Sequence, residues 1–169
     1  MNNTVKLYTL PLNDIKAYLF VGIFVLGNLL FPQLAHLVPQ GGLILLPIYF
    51  FTLIAAYKYG IHVGVLTAVL SPVINSLLFG MPPVAALPSI LIKSILLAVS
   101  AALLAKKYGN VSIVAILFAV FIYQLAGSAL EWILTKDFSL AIQDIKIGVP
   151  GIILQIVAGY FILKMLEKV

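Results

Sequence analysis

The chain has 169 residues, 63% of them hydrophobic and only 9% charged, and its mean hydropathy is +1.20. Soluble domains are about 45–50% apolar and about 25% charged, so this much apolar surface exceeds what one soluble core can hold and the surplus is expected to face lipid. The formal net charge of +5 comes from ten Lys and no Arg against five acids. These lysines sit singly or in pairs at the ends of apolar runs, with no basic stripe interleaved with aromatics, which suits membrane topology and anionic lipid rather than nucleic acid. Cysteine is absent, which excludes disulfides, thiol catalysis and cysteine-based metal sites.

At about 20 residues per crossing, the chain has room for an all-α integral membrane bundle of six helices with no separate soluble domain. The first apolar run is not a cleaved leader on this reading. Asp14 and Lys16 leave its front end nearly neutral, and no Ala-x-Ala site follows it. The first span is expected at 15–38, with Pro32 bending or ending its regular part. Gln40-Gly41-Gly42 makes a turn, and a short second span covers 43–57 with Pro47 near its start. After Lys58-Tyr59-Gly60 a third span runs over 61–79. Gly80-Met81-Pro82-Pro83 breaks the chain, since neither proline can donate a helix hydrogen bond. The fourth span is 84–105, closed by Lys106-Lys107-Tyr108-Gly109-Asn110. The fifth is 111–134, the polar stretch 135–144 is the longest loop, and the sixth span is 147–166. No internal repeat stands out, so an inverted-repeat transporter gains no support.

Lysine placement sets the orientation. With a cytoplasmic N-terminus, Lys6, Lys16, Lys58, Lys106, Lys107, Lys164 and Lys168 fall on one side and only Lys136 and Lys146 on the other. That bias predicts a multi-pass protein of the cell membrane with both termini cytoplasmic, and it agrees with an even number of crossings.

Several residues stand out against this apolar background. Gly60, Gly64, Ala68 and Pro72 recur every fourth position, which predicts close helix packing. Ser71 and Asn75 continue a polar seam; Asn75 either bonds a neighbouring helix or contacts a ligand. Lys93 lies about ten residues into its span, about 15 Å deep. A charge there costs at least about 2.5–3.5 kcal/mol, so it is expected to face the bundle interior and meet a carboxylate or an anionic ligand. Glu131, about one turn from the outer end of the fifth span, is its natural partner; the alternative is an interfacial acid touching water. Trp132 is either part of the same pocket or an interfacial anchor. Gln124 and Gln155 are interhelical hydrogen-bonding groups or ligand contacts. With Lys93, Glu131, Trp132 and Asn75 they complete the candidate ligand site. No catalytic constellation or phosphate-binding loop occurs, and His36 and His62 fall on opposite sides of the membrane, so neither an enzyme nor a metal or cofactor site is expected.

From Tyr59-Gly60 and Gly64, through Gly80-Met81-Pro82-Pro83 and Leu87-Pro88, to the small-residue-rich fourth span, the layout resembles the substrate-binding S component of energy-coupling-factor (ECF) vitamin transporters. The resemblance implies that the chain captures a small water-soluble micronutrient from outside and topples in the membrane to release it. It would depend on a transmembrane scaffold subunit and two ATPase subunits for energy. Family ligands sit near the outer face, lined by the fourth to sixth helices. The family's Ala-x-x-x-Ala docking face on helix one has as its nearest counterpart Ala17-x-x-x-Val21. Members with this type of helix-three-to-four junction often carry an acid near the position of Lys93, so a Lys there implies a different ligand charge, with a carboxylate-bearing ligand as the expectation. The rival readings are a self-sufficient secondary transporter or channel, and a structural or assembly membrane protein.

Overall fold

The computed structural model describes Leu7 and residues 9–167, and among these there are helices and turns but no strand. Lys6 and Lys168, two of the orientation-setting lysines, lie outside the described residues. The helices are α1 (Ile15–Ala35), α2 (Gly41–Leu45), α3 (Phe50–Tyr59), α4 (Ile61–Phe79), α5 (Leu87–Tyr108), α6 (Ile113–Thr135), α7 (Phe138–Ala141), α8 (Gln143–Ile147) and α9 (Val149–Leu166). Among the described residues, five segments are long and apolar enough to cross a membrane: α1, α4, α5 together with the 3-10 turn before it, α6 and α9.

Local chemistry explains where these helices start and stop. Asp14 caps α1 by accepting from the Lys16 backbone N–H at 2.9 Å, and Ser112 caps α6 through Ala115. Pro88 and Pro150 sit in the first turns of α5 and α9, where a helix has N–H groups to spare. Gly80 and Gly109 end α4 and α5 in the left-handed region, with φ of +67° at both.

The expected second span is not one helix. It divides into α2, a 3-10 turn over Pro47–Tyr49, and α3, and the break falls at Leu46, which is left-handed at φ 47° and ψ 47°. Pro47 disfavours a right-handed helical conformation in the residue before it, and a left-handed non-glycine residue costs roughly 1–2 kcal/mol. The start of α9 supports the kink. A Cβ on Gly148 would lie 2.6 Å from Leu46 Cδ1, and one on Gly151 would lie 2.4 Å from the Leu45 backbone. These glycines let the start of α9 press directly against the irregular segment around Leu46.

Although α3 has only ten residues, it is the centre of the bundle. Every residue from Thr52 to Tyr59 is buried, because α1, α4, α5 and α9 all pack around it. Against α4 the approach is very close at Gly64, where a Cβ would come within 2.4 Å of Ala56 Cβ. The small-residue stripe expected of this helix therefore serves packing at Gly64 and at the fully buried Ala68.

The ends of the helices are tied together on one side of the bundle. Leu10 N–H donates to Tyr59 O, and His62 Nδ1 lies 3.3 Å from Leu10 O. The Tyr57 hydroxyl donates to Asn110 O and accepts from Ser112 N–H in the α5–α6 turn. Lys58 Nζ donates to Leu166 O at 2.7 Å. These contacts gather the start of α1, the α3–α4 junction, the α5–α6 turn and the end of α9 at one end. The α7–α8 segment, which replaces the expected loop over 135–144, lies at the opposite end.

Candidate functional site

Two polar seams run through the apolar bundle. The first joins α1, α3 and α4. Asn28 Nδ2 donates to Thr52 Oγ1 and Ser71 Oγ, both at 3.1 Å, and its Oδ1 accepts from the Phe51 backbone N–H. Asn75 Nδ2 donates to Asn28 O at 2.7 Å. In a regular helix that carbonyl would accept from residue 32, but Pro32 has no N–H. Asn75 thus satisfies a carbonyl that the proline leaves open, which allows α1 to continue to Ala35 instead of ending at Pro32. This is the interhelical role, and it places Asn75 in the α1–α4 seam rather than with Lys93.

The second seam lies between α5, α6, α8 and α9. Lys93, only 2% exposed, stretches along its neighbour so that Nζ reaches Glu131 Oε2 at 2.6 Å and Asp144 Oδ2 at 2.7 Å. Its stem crosses Gly127, where a Cβ would meet Lys93 Cγ at 2.6 Å. Glycine at this position gives the lysine its path. The expected pairing of Lys93 with Glu131 is present, and a second carboxylate joins it from α8. One ammonium against two carboxylates leaves the cluster with one net negative charge when all three groups are ionised. The Glu131 and Asp144 side chains remain 12% and 14% exposed, against 3% for Lys93, so the cluster reaches outward through its acids.

Deeper in the same seam, Gln124 Nε2 donates to the Tyr123 hydroxyl at 2.9 Å, which in turn donates to Gln155 Oε1 at 3.0 Å. The Tyr49 ring, from the 3-10 turn beside the Leu46 break, packs 5.2 Å from that of Tyr123. Gln124 and Gln155 are therefore linked to each other through a tyrosine. Each keeps one buried amide atom without a hydrogen-bond partner, Oε1 of Gln124 and Nε2 of Gln155, and the hydroxyls of Ser94 and Ser128 are buried and unpartnered too.

Trp132 stands apart from this seam. It is 50% exposed, and its ring meets Phe138 of α7 edge-on at 5.5 Å. That is the arrangement of an interfacial anchor. Ala17 and Val21 require a correction as well. They are 0% and 5% exposed because they face the bundle's own core, so neither is available to a partner. The outward face of α1 includes Ile15, Leu19, Ile23, Leu26, Leu30 and Leu34.

Asp144, Gly127, Ser128, Ser94, Tyr123 and Tyr49 were not among the residues singled out from the sequence. Four of the α6 positions carried a signal: Gln124, Gly127, Ser128 and Glu131 fall at i, i+3, i+4 and i+7, one helix face that is entirely polar or small. Asp144 offered none, because its role depends on a loop folding back. No protein-family model matches the sequence, and no curated protein or solved structure matches it either.

Proposed function

We propose that this chain is a membrane-embedded substrate-capture subunit of the ECF type, with six crossings and both ends on the cytoplasmic side. In this reading α2, the 3-10 turn and α3 together make the sixth crossing, beside the five long helices. The observation that carries the proposal is the Lys93–Glu131–Asp144 cluster. It is a charged, largely buried group next to a discontinuous helix, at the end of the bundle away from both described chain ends. Ionisable groups inside a membrane span mark substrate or ion sites by default, and broken helices in transporters characteristically border such sites. The α6 face from Gln124 to Glu131 and the unpartnered amide and hydroxyl groups beside it supply the hydrogen-bonding surface that a small polar micronutrient requires. A carboxylate-bearing ligand loses its rationale, however, because Lys93 already has two carboxylates of its own.

Isolation of the tagged full chain from its native membrane tests the proposal. The expected outcome is co-purification with a transmembrane scaffold and two subunits bearing nucleotide-binding motifs, and no concentrative uptake by the chain alone in lipid vesicles. Asp144 gives a specific reason for a second reading. It adds a second carboxylate to Glu131, and two acids around one lysine are suited to ion coupling in a self-sufficient carrier. Uptake against a gradient by the purified chain, with no ATPase recovered, would establish that second reading in place of the first.

A further inference from the structure

The balance of charge in the α5–α6 seam points to the kind of molecule that completes it. Lys93 cannot neutralise both Glu131 and Asp144, and among the described residues no second cation pairs with either acid. Lys136 and Lys146, at the same end of the bundle, are exposed. The unfilled groups nearby include acceptors for a cation: Gln124 Oε1 and the hydroxyls of Ser94 and Ser128, which can accept as well as donate, beside the donor Gln155 Nε2. Ser128 sits one turn from Glu131 on the face of α6 that meets Lys93, and is only 6% exposed.

We propose that this cluster is a binding site for a small organic monocation, whose ammonium or amidinium group lies between Glu131 and Asp144. The inference rests on the capture reading for its purpose, and on charge and geometry for its chemistry. An anion entering here would add to an existing negative charge. A hard divalent cation requires about six oxygen ligands, whereas no group of three or more acids and histidines is present among the described residues. An ammonium needs only about three acceptors, and two carboxylates with a serine hydroxyl provide them. Lys93 then acts as a resident ammonium that bridges the two acids and offsets their repulsion while the site is empty. Its stem lies in the groove over Gly127, so the ammonium can be drawn back when a ligand takes its place.

The sole tryptophan, Trp132, follows Glu131 directly and rests against α7, so its emission reports on this end of the bundle. Full chain in detergent is titrated with butylammonium, butyrate and butanol, which share one alkyl chain. Butylammonium is expected to give a saturable change, and the other two none. Lys93→Met, which makes the cluster doubly negative, should tighten butylammonium by about tenfold or more, and Asp144→Asn should weaken it by about tenfold, the change that 1.4 kcal/mol makes. Should Lys93→Met fail to fold, Asp144→Asn and Glu131→Gln carry the test, since Lys93 keeps one carboxylate in each. A saturable response to butyrate, no response to butylammonium, or a butylammonium affinity unchanged in Asp144→Asn would overturn the inference. Recovery of the ATPase subunits is read separately. If they co-purify while butylammonium fails, the ligand class alone is wrong; if they are missing while butylammonium binds, only the capture reading falls.

Discussion

The bond from Asn75 of α4 to the Asn28 carbonyl of α1 exists because of Pro32, one turn beyond Asn28 in α1, and that dependence can be measured. Pro32 deprives Asn28 O of its intrahelical donor, and Asn75 Nδ2 replaces it at 2.7 Å. Replacing Asn75 by Ala removes one interhelical hydrogen bond, worth about 0.6 and at most about 1.7 kcal/mol in membrane bundles. It also leaves a buried carbonyl unsatisfied, at about 1–3 kcal/mol. Together with the lost side-chain packing, the expected cost in the native background is about 2–3 kcal/mol. Pro32→Ala restores an N–H at residue 32, which can close the regular bond to Asn28 O. In that background the carbonyl is never orphaned, so Asn75→Ala should cost about 1–2 kcal/mol less. The packing loss is common to both backgrounds and cancels in the cycle. Reversible unfolding in mixed detergent micelles, followed by far-UV circular dichroism, yields the four stabilities. Additivity within about 0.5 kcal/mol would show that Asn75 does not compensate for the proline, and would return Asn75 to consideration as a ligand contact.

Three other outcomes follow from the same geometry. Because the chain has no cysteine, single cysteines at Asn110 and Ser139 can be probed with an impermeant thiol reagent. Ser139 should label from outside and Asn110 only after permeabilisation, and the reverse pattern would invert the proposed orientation. Gly64→Ala brings a methyl within 2.4 Å of Ala56 Cβ and should destabilise the fold by about 1–3 kcal/mol, whereas Ala56→Gly in the same chain should recover most of that loss in a thermal melt. In the charge cluster, Glu131→Gln leaves Lys93 in a one-to-one pair with Asp144 and should cost less than about 1 kcal/mol. Lys93→Met leaves two facing carboxylates and should cost more, near the lower end of the roughly 3–5 kcal/mol for breaking a buried pair, because both acids touch water. Equal stabilities for the two variants would refute the charge count.

Much of the architecture was legible along the chain. Mean hydropathy marks a membrane protein, and the long helices α1, α4, α5, α6 and α9 fall within a few residues of five of the expected spans. Gly80 and Gly109 end helices where expected, and Lys93 meets Glu131. These features were readable because exposure to lipid is a cost paid residue by residue, and helix ends are governed by the conformations of adjacent residues. A lysine in hydrocarbon needs a carboxylate wherever the fold supplies one, and Glu131 was the only acid within an expected span.

Tertiary structure alone decided the rest. The second expected span divides at Leu46, since Gly148 and Gly151, a hundred residues further on, make room for the kink. Ala17 and Val21 turn inward, while the opposite face of the same helix is exposed. A helix as apolar as α1 shows no polar side from which its orientation could be read. Asp144 reaches Lys93 only because α8 folds back over the bundle, and Asn75 serves Asn28 only because α4 lies against α1. In each case a buried polar group or a strained backbone had to be matched by an atom distant in sequence. Hydropathy states that such a match is required, but the partner is chosen by which helices become neighbours in space.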